Sequence, residues 1–130
     1  MKTDIDIKTD VFRHIKGSVL ESTVTGELRY KRPHNSKKED IVVSVLANMN
    51  GQKQIATVNV NIYVPAISVK NQPEEDIERE ELLCRLSSEL LDVFRGEGFR
   101  ASLTDQRVLE LTEAKEYLIN NKIEYKIINE

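Results

Sequence analysis

Ile41-Val42-Val43-Ser44-Val45-Leu46-Ala47 and Gln54-Ile55-Ala56-Thr57-Val58-Asn59-Val60-Asn61-Ile62-Tyr63-Val64 lie either side of Asn50-Gly51. The first stretch is β-branched or apolar at nearly every position, as in a central strand covered on both faces. The second alternates. Ala56, Val58, Val60, Ile62 and Val64 point one way; Thr57, Asn59, Asn61 and Tyr63 point the other, the period of a strand with one wet face. An Asn-Gly pair tolerates positive φ at both positions, which a tight type I′ hairpin needs. The segment therefore predicts an antiparallel hairpin. Pro65 stops it, because proline cannot donate to a strand ladder.

Working outward, Val11, Phe12, Ile15 and Val19 recur at helical spacing, and Thr9 or Asp10 can cap a helix running to about Ser22. Gly17 lies inside it, where glycine costs about 1 kcal/mol relative to alanine. Val24 to Tyr30 alternates as a strand, and Arg32 to Asp40 reads as a polar loop. Residues 66–73 form a connector. Pro73 opens a second helix, Glu74 to Phe94, whose acidic start suits the positive end of the helix dipole. Gly96 or Gly98 can end it in the left-handed conformation. Phe99–Leu103 and Arg107–Leu111 read as short strands joined by a turn at Asp105-Gln106. Thr112–Glu116 is a turn, and Ile123, Tyr125 and Ile127 mark a last strand.

The predicted order is α-β-β-β-α-β-β-β. Helices and strands segregate, so the class is α+β: an antiparallel or mixed sheet of about five to six strands, with one long and one shorter helix packed on it. At 130 residues, without repeats or a Pro/Gly-rich linker, the chain is expected to form a single domain, residues 1–130.

Composition narrows the function. Cys84 is the sole cysteine, which leaves no internal disulfide framework and no cysteine-based zinc cluster. The formal net charge of −3 argues against nucleic acid as a main partner, since phosphate recognition needs a basic footprint. No apolar run reaches the roughly 18 residues of a membrane span, and the first residues hold no apolar signal core; the chain reads as intracellular, with no membrane partner. Cys84 sits in an apolar helical run, and His14 and His34 are isolated from any patterned carboxylate. Ser87-Ser88 lacks a base, and Gly96-Glu97-Gly98 reads as a helix stop. The acidic run lacks a calcium-loop pattern. The sequence thus predicts no catalytic residue, metal or cofactor.

Charge is sorted along the chain. Residues 1–70 hold 11 basic and 7 acidic side chains; residues 71–130 hold 8 and 15. The densest basic stretch carries Arg29, Lys31, Arg32, Lys37 and Lys38. The densest acidic stretch is Glu74-Glu75-Asp76-Ile77-Glu78-Arg79-Glu80-Glu81. These are either solvated surfaces or the two halves of a head-to-tail contact between copies. The second helix adds to the second alternative. Leu82, Leu83, Leu86, Leu90, Val93 and Phe94 form its main stripe, and Ile77, Cys84 and Leu91 widen the apolar arc to roughly 200°. That flank either enters the domain's own core or meets another subunit. The candidate interface is therefore Ile77, Glu78, Glu80, Glu81, Cys84 and Leu91 against Arg29, Lys31, Arg32, Lys37 and Lys38.

Val58-Asn59-Val60-Asn61-Ile62-Tyr63-Val64-Pro65, the polar connector and long helix after it, and the closing Tyr117-Leu118-Ile119-Asn120-Asn121-Lys122-Ile123-Glu124-Tyr125-Lys126 resemble small tail-completion, tail-terminator and head–tail joining proteins of tailed phages and prophages. The resemblance implies an α+β subunit of a ring, commonly hexameric in that family, that terminates the tail or joins it to the head. Its partners would be copies of itself and other tail or head–tail proteins. It would reside in the bacterial cytoplasm during assembly and in the virion tail or neck afterwards. The other reading is an intracellular assembly or binding module of the same fold without catalytic activity.

Overall fold

The computed structural model describes residues 2–49 and 54–128. It is an α+β fold with helices α1 (Asp4–Ile15), α2 (Val19–Thr23) and α3 (Ile77–Leu91) and strands β1 (Leu28–Arg29), β2 (Ile41–Met49), β3 (Ile55–Pro65), β4 (Ile67–Val69), β5 (Gln72–Glu74), β6 (Val93–Gly96), β7 (Phe99–Leu111) and β8 (Glu116–Ile127). Six strands form one mixed sheet in the order β1-β2-β3-β8-β7-β6, and β4 and β5 form a small hairpin of their own. Among the described residues only β1 runs parallel to its neighbour.

β2 and β3 pair antiparallel, Ile41 opposite Ile62 and Val43 opposite Val60. The Asn50-Gly51 turn between them lies outside the described residues. β3 alternates as its residues dictate: Ala56, Val58, Val60, Ile62 and Val64 are buried and the residues between them are not. Register carries this pattern across the sheet, Val58 opposite Ile123 and Leu103 opposite Ile123 in turn. Ile7, Val11, Ile15, Leu20, Leu83 and Leu91 from the three helices pack on that face to form the core. The other face, with Ser44, Asn59, Asn61, Tyr63 and Asn120, adds nothing to this core. There Asn120 Nδ2 donates to Asn59 Oδ1 (3.2 Å) and Asn61 Oδ1 (2.7 Å).

Several boundaries differ from expectation. The first helix starts at Asp4, because Thr3 and Asp6 form a capping box, and it stops at Ile15. Gly17, at φ 80°, turns the chain left-handed and splits off α2. The strand expected over 24–30 shrinks to Leu28–Arg29. Gly26 presses against the segment ahead of β2, where a Cβ would lie 2.2 Å from Asp40 Oδ1. Covering of both faces of β2 holds for Ile41–Val43 only; a bulge between Val45 and Ala47 leaves Leu46 61 % exposed. Pro73 belongs to β5, and α3 starts three residues past Glu74, capped by Asp76. Val93 and Phe94 have left the helix for β6. The two strands expected over 99–111 are one, β7; Asp105-Gln106 follows a register shift between Leu103 and Asp105, not a turn.

Candidate functional site

Left-handed backbone collects at one end of the sheet. Asn35 (φ 64°), Lys70 (φ 50°), Asn71 (φ 65°) and Lys115 (φ 54°) are the non-glycine residues with positive φ among the described residues. Asn35, Asn71 and Lys115 line one cleft of about 550 Å³, and Lys70 adjoins it. Such conformations cost of order 1–3 kcal/mol each and gather where a surface is shaped for a purpose. Three segments far apart in sequence build the cleft: the loop Arg32–Lys37, the stretch Pro65–Pro73 around the β4–β5 hairpin, and Ala114–Glu116 before β8. Its lining includes the apolar residues Pro33, Pro65, Ala66 and Ile67, of which Pro65 and Ala66 are half-buried and Pro33 and Ile67 exposed. Its rim carries Lys37 and Lys115, and neither ammonium has a partner among the described residues.

Arg32 holds the cleft together. Its Nε donates to Asp40 Oδ2 (3.2 Å), Nη1 to Glu116 Oε1 (2.6 Å) and Nη2 to Lys38 O (3.0 Å). The guanidinium also stacks 4.1 Å from the Tyr63 ring centroid. Burial alone would lower its pKa; the bonds to Glu116 and Asp40 outweigh this and raise it. Burial likewise works to raise the Asp40 pKa, yet donors from Ser36, the Glu27 backbone and Arg32 hold it below the usual carboxylate range.

A second polar cluster lies under α3. Asn121 is fully buried on the core face of β8. Its Oδ1 accepts from Gln106 Nε2 (2.7 Å), which also reaches Ser87 Oγ and Cys84 O, both at 3.1 Å. Asn121 Nδ2 and Glu80 Oε2 are buried without a partner. Burial, then the neighbouring Glu75 and Asp76, push the Glu80 carboxyl up to about 7. Burial and then Glu80 push the Cys84 thiol up, away from the thiolate a nucleophile needs. His14 is engaged elsewhere: Nε2 lies 2.8 Å from Leu90 O and the ring stacks on Phe94. His34 is exposed. No group of three or more His, Cys, Asp or Glu among the described residues could hold a metal ion, and no helix there is long and apolar enough to cross a membrane.

The proposed interface residues divide. Lys31, Lys37, Lys38, Ile77, Glu78 and Glu81 are exposed. Leu91 is fully buried and Glu80 nearly so, because the core stripe of α3 is Glu80-Leu83-Ser87-Leu91; neither can meet a partner. Cys84 is half-buried against the core. Arg32 is committed within the chain, and Arg29 pairs with Glu27. The basic and acidic stretches are neighbours. Arg79, inside the acidic run, binds Glu39, at the end of the basic loop, through Nε (2.9 Å) and Nη2 (2.5 Å). Sequence reasoning missed Asn35, Asn71 and Lys115, whose signal was only the turn chemistry of Asn and of residues 112–116.

No protein-family model matches the chain, and no curated protein shows a significant match.

Proposed function

We propose that the chain is a non-catalytic structural subunit that assembles with its own copies into a ring, as in the terminator or head–tail joint of a phage or prophage tail. The supporting observation is the state of the sheet edges. β1 covers β2 only at Ile41 and Val42, and β6 covers β7 only from Phe99 to Ser102. The rest of β2, and β7 from Thr104 to Leu111, face outward with no described strand beside them, on opposite flanks of the sheet. A head-to-tail ring needs two different surfaces on opposite flanks. Leu46 on one edge and Val108 on the other are exposed apolar residues that such a contact would cover. Both strands carry a bulge, and β7 carries Asp105, Arg107 and Glu110, which bar indiscriminate pairing and admit a matched partner. The tail or neck assignment rests on the resemblance of residues 58–65 and 117–126; other tail or head–tail proteins would be the further partners, met in the bacterial cytoplasm and retained in the virion.

Electron microscopy and native mass measurement test this. Rotationally symmetric rings are expected, abolished by Leu46→Lys and separately by Val108→Lys. Absence of rings from the wild-type chain at high concentration would sink the reading.

A further inference from the structure

We propose that the cleft receives the first turn of α3 from a second copy, each copy seating its Ile77 in the other's cleft about a two-fold axis. Ile77 opens α3 and is 65 % exposed. Glu81 lies one helical turn on, on the same face, and Glu78 is adjacent; both are exposed. This makes an apolar knob flanked by carboxylates. The cleft is its complement: the apolar Pro33, Pro65, Ala66 and Ile67 line it together with Lys37 and Lys115, neither of which has a partner among the described residues, and about 550 Å³ is ample for one branched side chain with its flanking acids.

Symmetry follows from the reach of the chain. Pro73 lines the cleft, and Ile77 is four residues further on. Four residues span at most about 14 Å, whereas a domain of this length is roughly 35 Å across. Knob and socket therefore share one side of the subunit. A head-to-tail contact would need them on different flanks, while a two-fold contact needs both in one self-complementary patch. Opposite charges then meet twice, once at each half of the contact, and fix its register. This contact is separate from the ring reading: it uses the end of the sheet rather than its edges.

Sedimentation velocity at low salt, with Leu46→Lys present to remove the edge contact, tests the proposal. The expected species is a dimer that does not grow further with concentration and weakens as salt is added. Ile77→Ser should raise the dimer dissociation constant about tenfold or more, and the Lys37→Glu/Lys115→Glu pair should do likewise. Adding Glu78→Lys and Glu81→Lys to that pair should restore the dimer, an outcome that misfolding cannot imitate. A monomer up to about 1 mM, growth beyond two copies, or indifference to all these substitutions would overturn the proposal. Loss of rings with the dimer intact would overturn only the ring reading.

Discussion

Glu80 occupies a sheet-facing position of α3 where the apolar pattern of the helix leads one to expect leucine. It is 6 % exposed, Oε2 is unpartnered, and the groups around it are Glu75, Asp76 and Cys84, with Tyr117 facing them from β8. No cation among the described residues offsets its charge, so burial keeps the proton on. The ordinary value of 4.5 applies to the unfolded chain and about 7 to the folded one. Between these values the unfolded chain releases a proton that the native chain keeps. Native protein then binds more protons, and stability falls as pH rises from about 4.5 to about 7. At about 1.4 kcal/mol per pH unit the loss is at most about 3–4 kcal/mol. Glu80→Gln should therefore be more stable than wild type at pH 8 by about 2 kcal/mol, with the gap closing toward pH 4.5. Urea unfolding across this range measures it. Parallel profiles for the two proteins would show that the native carboxyl is already ionised.

At the scale of elements, α3 is joined to the sheet by an amide rather than by hydrocarbon alone. Gln106 lies just past the β7 register shift, which aims it at Asn121 and at Ser87 and the Cys84 carbonyl of α3. Gln106→Ala would leave Asn121 buried with neither end of its amide bonded, a cost of about 1–3 kcal/mol. Gln106→Met with Asn121→Leu removes both partners, and chemical denaturation should return most of that loss; a double variant no better than the single would show that shape, not the amide pair, holds α3. The same region shows what the sequence could and could not tell. β3 was legible because a strand with neighbours on both sides and one dry face must alternate. α3 was misread by rotation: Leu82, Leu86 and Leu90 are half-buried, since the sheet beneath offers Gln106 and Asn121 and the helix answers with Ser87 and Glu80. Asp105-Gln106 has the composition of a turn, and only β8 alongside keeps it extended. The cleft had no linear signature, because its walls come from segments that meet only in the fold, and Arg32 looked like surface charge until Asp40, Glu116 and Tyr63 enclosed it.

At the scale of the whole molecule, two assembly surfaces on different parts of one subunit make distinct demands on symmetry. Edge pairing of β2 with β7 generates a ring, and the reciprocal cleft contact joins subunits in pairs; together they stack two rings face to face. Leu46 lies five residues along β2 from Ile41, which follows Asp40 at the cleft end, or roughly 16 Å at the rise of a strand. Sites that far apart without shared partners act independently, adding within about 0.5 kcal/mol. Four particles are therefore expected by native mass measurement. Wild type should give the double ring, and Ile77→Ser a single ring of half that mass. Leu46→Lys should give a dimer, and the double variant a 14.9 kDa monomer. If Ile77→Ser alone also dissolved the ring, the first turn of α3 would be part of the ring contact itself, and the separation of the two surfaces would fail.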